Sequence, residues 1–182
     1  MPRNRKQIPR EERASEILTA ATEVFLRQGF DGTTMADISR AAGVAAANVY
    51  WYYPSKDDVF AAVMDRMLSR EIRALEYELH GLGPLPTLIR GLTDMRAFRG
   101  LHQAMHYRMR ESDAVRDAHD RFLSWFRGNV DRVLDEHPDL PDRAMIADIV
   151  VSLFEGANAA EPSPRPAKEM ISFVLHALLD QS

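Results

Sequence analysis

The chain has 182 residues, a formal net charge of −4, 46% hydrophobic residues and no cysteine. That length suits one sizeable core, or a small module joined to a larger one, and the missing cysteine removes disulfides, thiolate nucleophiles and cysteine-ligated metal sites. The acidic balance argues against an indiscriminate nucleic-acid binder, no apolar stretch suited to a signal segment follows the basic N-terminus, and the longest apolar runs, Ile149 to Phe154 and Phe173 to Leu179, are too short to span a bilayer, so a cytoplasmic chain with no membrane partner is expected.

Charge is unevenly placed. Residues 1–58 hold eight basic and eight acidic side chains, which leaves the whole net charge in the remainder. Arg3, Arg5, Lys6 and Arg10 form a basic arm with no acid before Glu11, either a solubilising tail or a segment that tracks DNA.

Ala14, Ile17, Leu18, Ala21, Val24 and Phe25 recur at three- and four-residue spacing and predict a first helix from about Arg10 to Gln28. Gly29 is its expected left-handed stop, with Phe30 folding back on the last turn as in a Schellman ending. Thr34 and Asp37 stand at capping-box spacing before a short helix, Met35 to Ala42, which Gly43 ends. A third short helix starts near Ala45 or Ala46 and stops before Pro54. Ser55 caps a long fourth helix, Lys56 to about His80, with Asp57 and Asp58 in its first turn.

After Gly81, Gly83, Pro84 and Pro86, the segments Leu85 to Met95 and Phe98 to Arg110 read as two further helices. Asp113 to Glu136 is a seventh, apolar on more than one face and therefore central. Asp142 to Glu155 begins an eighth, and a last helix runs to about Leu179 after a proline-rich loop. With no competing strand pattern, the expected fold is all-α.

Thr34 to Ala42, the Gly43 turn and Val44 to Tyr53 have the dimensions of a helix-turn-helix, with Ile38, Ala42, Val44, Val49 and Tyr53 facing inward. Tyr50, Trp51, Tyr52 and Tyr53 are consecutive, so they spread over every face of a helix and cannot all be core. Tyr50 and Tyr52 offer phenolic hydroxyls to phosphate oxygens, and Lys56 adds a positive charge.

Residues 10 to 60 resemble the DNA-binding domain of the tetracycline-repressor (TetR) family of bacterial transcription regulators. The resemblance lies in Gln28-Gly29-Phe30, Gly32-Thr33-Thr34-Met35-Ala36-Asp37-Ile38, Ala42-Gly43-Val44, Val49 to Tyr53 and Ser55-Lys56-Asp57. It implies backbone contacts from Thr34, Tyr50, Tyr52 and Lys56, and base-facing positions at Met35, Ala46, Ala47 and Asn48. It also raises the weight of Arg3, Arg5 and Lys6 as a DNA-following arm. The sequence departs from the family where a serine or threonine is common, at Ala45, which leaves the third helix without a side-chain cap. Over the remaining residues only architecture is similar: a helical regulatory domain whose last two helices dimerise.

The expected domains are therefore 1–58, helix-turn-helix with its basic arm, and 59–182, a helical ligand-binding and dimerisation domain. Ile146, Val150, Phe154, Ile171, Val174 and Leu178 belong to last helices whose apolar surface exceeds one stripe, and a second copy of the chain is the expected cover. Met67, Phe98, Met105, Met109, Phe122, Trp125 and Phe126 are candidates to line a cavity in which His102 and His106 orient a largely apolar or aromatic effector. The alternative is plain core.

The expected function is a ligand-responsive repressor that binds a palindromic operator in double-stranded DNA as a homodimer, is released by a small molecule, and has no cofactor, metal or catalytic residue. Two rivals stand beside it. One is a metal-dependent enzyme built on the His102 and His106 pair, which needs at least a third ligand that the sequence does not single out among Glu155, His80, His119 and His176; the other is a helical sensor without DNA binding.

Overall fold

The computed structural model describes residues 9–78, 81–94, 99–159 and 165–179. These form nine helices and no strand: α1 (Arg10–Gln28), α2 (Met35–Ala41), α3 (Ala46–Tyr52), α4 (Lys56–Glu78), α5 (Pro84–Asp94), α6 (Arg99–Arg108), α7 (Asp113–Asp135), α8 (Arg143–Ala159) and α9 (Ala167–Leu179). The chain divides into two compact units, Met1–Met64 and Asp65–Ser182, with the division in α4 after Met64.

In the first unit, α1 packs on α2 and α2 on α3. Ile17, Ala21, Val24 and Phe25 supply the buried face of α1, and Ile38, Val49, Val59 and Phe60 are buried in the same unit. Three rings form the centre: Phe25 stacks on Phe30 at 6.0 Å, and Phe60 meets both edge-on at 5.3 and 4.9 Å. Phe30 does fold back onto α1, but Gly29 has φ 70° and ψ 177°, so the ending is not the left-handed Schellman form. Its amide still donates to Phe25 O at 2.8 Å. Gly32 is required for another reason: a Cβ there would stand 2.5 Å from Gln28 O. Gly43, at φ +65°, turns the chain between α2 and α3.

In the second unit, α7 is the central helix, packed against α5, α6 and α8, while α9 packs on α8 and α5. Phe122, Phe126, Val130 and Val133 of α7 share one core with Val150 and Phe154 of α8 and Ile171 and Leu175 of α9. Ser112 caps α7 through Val115 N. Asn129, buried on α7, is satisfied by donating to Trp125 O at 2.8 Å and accepting from Arg132. Asp142 precedes α8 rather than beginning it: at φ 41° its carboxylate accepts from Met145 N, a left-handed position that Asp tolerates.

The dimer-facing set needs correction. Ile146, Val150, Phe154 and Ile171 are at most 7% exposed within the single chain, and Val174 and Leu178 are only partly exposed. Their apolar surface is taken up in the core shared by α7, α8 and α9, which could not be apportioned from the periodicity of α8 and α9 alone. The outward faces instead present Met145 and Ile149 on α8 and Phe173 on α9, which is 75% exposed.

Candidate nucleic-acid interface and a buried histidine cluster

Thr34 is exposed at the start of α2 and makes a full capping box. Its hydroxyl accepts from Asp37 N at 3.1 Å and donates to Asp37 Oδ2 at 2.6 Å, and its own amide donates to the same carboxylate at 3.0 Å. These bonds hold the Asp37 carboxyl below its ordinary range, the Thr34 hydroxyl being the largest cause. The second lone pair of the hydroxyl remains as an acceptor, so a donor role toward phosphate would require it to leave Asp37.

On α3, Ala46, Ala47 and Asn48 are exposed side by side, while Val49 is fully buried and fixes the helix's rotation. Ala45 occupies the N-cap without a side-chain bond, as its missing hydroxyl requires. Tyr50 is 50% exposed. Tyr52 is partly buried and meets Trp51 edge-on at 4.7 Å.

Lys56 is partly buried. Its Nζ donates to Phe30 O at 2.9 Å and Thr33 O at 3.0 Å, so a single ammonium hydrogen is left to meet a phosphate. Met35 differs from the expectation that it faces bases: it is 8% exposed, because it shares the inner face of α2 with Ile38, three residues on. It is a core residue.

Arg3, Arg5 and Lys6 lie outside the described residues, as do His80 and Phe98. Arg10 is described and its guanidinium sits 4.6 Å from the centroid of the Trp51 ring. The sequence contained both partners, but nothing in the spacing of residues 10 and 51 joins them.

A second constellation lies in the second unit. His102 and His106, one turn apart on α6, stand 4.5 Å apart by ring centroid, and His106 is 4.9 Å from His119 of α7. Glu155 of α8 pairs with His119, whose Nε2 is 3.1 Å from its Oε2, and His106 Nε2 is 3.8 Å from its Oε1. His102 is 5% exposed, walled by Phe122 and Phe154 at 6.0 and 5.9 Å. Burial pushes His102 down to about 4, His106 and His119 adding to the effect and Glu155 opposing it. Burial likewise lowers His106, with His119 adding and Glu155 opposing. At His119 burial is outweighed by the bond to Glu155 and the charges of Glu155 and Asp120, and the value rises. Glu155 is lowered because the three histidines outweigh its burial.

Of the other ligand-lining candidates, Met105, Phe122 and Phe126 are buried, and Met67, Met109 and Trp125 are partly buried. Phe154, expected at the dimer face, belongs with the histidines instead.

Residues 17–63 match the family model described as bacterial regulatory proteins, tetR family. The uncharacterized HTH-type transcriptional regulator YfiR of Bacillus subtilis is 36% identical over 67 residues, 37% of this chain and 33% of the relative. The matched stretch spans about a third of the length of the curated relatives it resembles. Two solved structures align along nearly the whole chain. The TetR-family repressor FadR of Thermus thermophilus, in complex with lauroyl-CoA, has a TM-score of 0.68 at 21% identity, covering 91% of this chain and 93% of its own. A transcriptional regulator from Saccharomonospora viridis, in complex with choline, has a TM-score of 0.68 at 17% identity, covering 94% and 97%. At these identities the structures speak for the fold. Residues 17–63 thus carry the sequence of the tetR family of bacterial regulatory proteins, and the helical remainder is similar in fold to the two solved regulators.

Proposed function

We propose that the chain is a DNA-binding transcription regulator, a repressor that grips a near-palindromic operator as a homodimer and is released by a small molecule. The observation that carries this is the exposed edge of α3, where Ala46, Ala47 and Asn48 stand free of the core while Val49 anchors the helix behind them. Asn48 is the one side chain of the three able to hydrogen-bond a base edge; the two alanines offer only methyls to thymine. Tyr50 and Lys56, flanking this edge, supply phosphate contacts, and Thr34 holds the start of α2 in place.

Two-fold pairing is supported by Met145, Ile149 and Phe173, large apolar side chains left on the outer faces of α8 and α9. Such pairing would set two α3 helices about one turn of duplex apart, which is why the operator is expected to be symmetric. The effector is a largely apolar or aromatic molecule held near His102, Met105 and Phe122, and both solved relatives above carry small ligands. Because α4 contributes residues to both units, it is the element through which a ligand would bias the spacing of the α3 helices. Titration of operator DNA with and without each compound that raises the melting temperature tests the release. Compounds that stabilise the protein and leave operator affinity unchanged would refute the coupling.

A further inference from the structure

The three histidines and one glutamate of α6, α7 and α8 are poorly explained as core. Among the described residues, both ring nitrogens of His102, Nε2 of His106, Nδ1 of His119 and Oε1 of Glu155 are buried without a hydrogen-bond partner. A neutral imidazole carries at least one N–H donor and one lone pair, so burial of both His102 nitrogens unpaired is a standing cost to the fold. A concentration of such atoms at one point suits a shared cation.

We propose that His102, His106 and Glu155 form a binding site for one divalent transition-metal ion, zinc foremost, which joins α6 to α8. One ligand atom from each lies within 4.8 Å of the others, and His106 Nε2 is already 3.8 Å from Glu155 Oε1. Ligand atoms about 2.0–2.2 Å from a tetrahedral ion stand roughly 3.4 Å apart, so small side-chain rotations close the site. His102 and His106 reach it from one face of α6 because they are one turn apart. His119 binds the other carboxylate oxygen of Glu155 at 3.1 Å, the outer contact that orients a ligating carboxylate. Two imidazoles and one carboxylate suit zinc, nickel, cobalt or iron; magnesium and calcium want oxygen ligands. Three protein ligands leave a fourth position open, so the ion could also receive a donor atom of the effector. Ion binding is nevertheless independent of the regulatory reading, since it is measured without DNA.

The test uses the full chain with any affinity tag removed and metal stripped by a chelator. Zinc(II) is titrated in competition with a chromophoric chelator, and cobalt(II) is followed by its visible absorption bands. One ion per chain is expected, undisturbed by excess magnesium, with a melting temperature that rises with zinc concentration. Glu155→Gln and His102→Gln should each lose more than about 100-fold in zinc affinity, and the outer contact His119→Gln about 10–100-fold. Should His102→Gln fail to fold, the native titration and Glu155→Gln still decide. No stoichiometric ion on the native chain would overturn the site, as would a Glu155→Gln variant that folds and binds zinc as the native chain does.

Discussion

Lys56 Nζ bonds the carbonyl oxygens of Phe30 and Thr33 and lies 4.0 Å from the centroid of the Phe30 ring, tying the first turn of α4 to the loop that ends in Thr34. Lys56→Ala therefore has two expected effects. Loss of hydrogen bonds from a charged donor costs about 1.5–3 kcal/mol of stability. Loss of a phosphate partner weakens binding to every DNA sequence and lowers the salt slope by about one per site. Urea unfolding reads the first and DNA titration at several salt concentrations the second. A variant as stable as the native chain contradicts the structural role, and an unchanged salt slope contradicts the phosphate contact.

Asn48→Ala should fail differently. Asn48 is exposed on α3 beside two alanines, so its removal should cost roughly 1–3 kcal/mol on the operator and relax discrimination at one base pair. Equal losses on operator and random duplex would remove the base-reading assignment.

The outer faces of α8 and α9 separate assembly from folding. Phe173→Asp and Ile149→Asp place charge on exposed apolar positions and should give folded monomers with weakened operator binding. Val150→Asp puts an unpaired charge at a fully buried position and should abolish the cooperative melt. Light scattering at micromolar concentration with thermal melting distinguishes these results, and a Phe173→Asp variant that remains dimeric places the interface elsewhere.

The capping box gives a pH dependence. The Asp37 carboxyl binds a proton less readily in the folded chain than at its ordinary value of 3.8, so protonation favours unfolding. Its contribution is fully present above that value and fades as pH falls through the lower folded one. Thr34→Ala should weaken this acid sensitivity, the Thr34 amide and Arg40 still acting on the carboxylate, and cost about 1 kcal/mol at neutral pH. Melting curves from pH 7 down to 3 check it; parallel curves for the two proteins would contradict the capping account.

Local signals were legible in the sequence because they act over one turn of chain. The Thr34 and Asp37 cap, the stop at Pro54 and the burial of Val49 beside exposed Asn48 all follow from short-range chemistry. Relationships set by packing were not. Met35 looked outward until the inner face of α2 was fixed by Ile38, and Val150 looked surplus until α7 supplied a surface to cover it. The pair His102 and His106 was visible as a one-turn spacing, whereas the approach of His119 and Glu155 depends on how α7 and α8 pack against α6.

The central claim is that α3 reads a specific DNA sequence. It is tested most directly by titrating the purified chain, at fixed salt, against the duplex upstream of its own coding sequence and against a scrambled duplex of equal length. Binding at least about 10³-fold tighter to the native duplex, lost on shuffling one half of a palindrome, is the predicted result. Equal affinity for the two duplexes would contradict it.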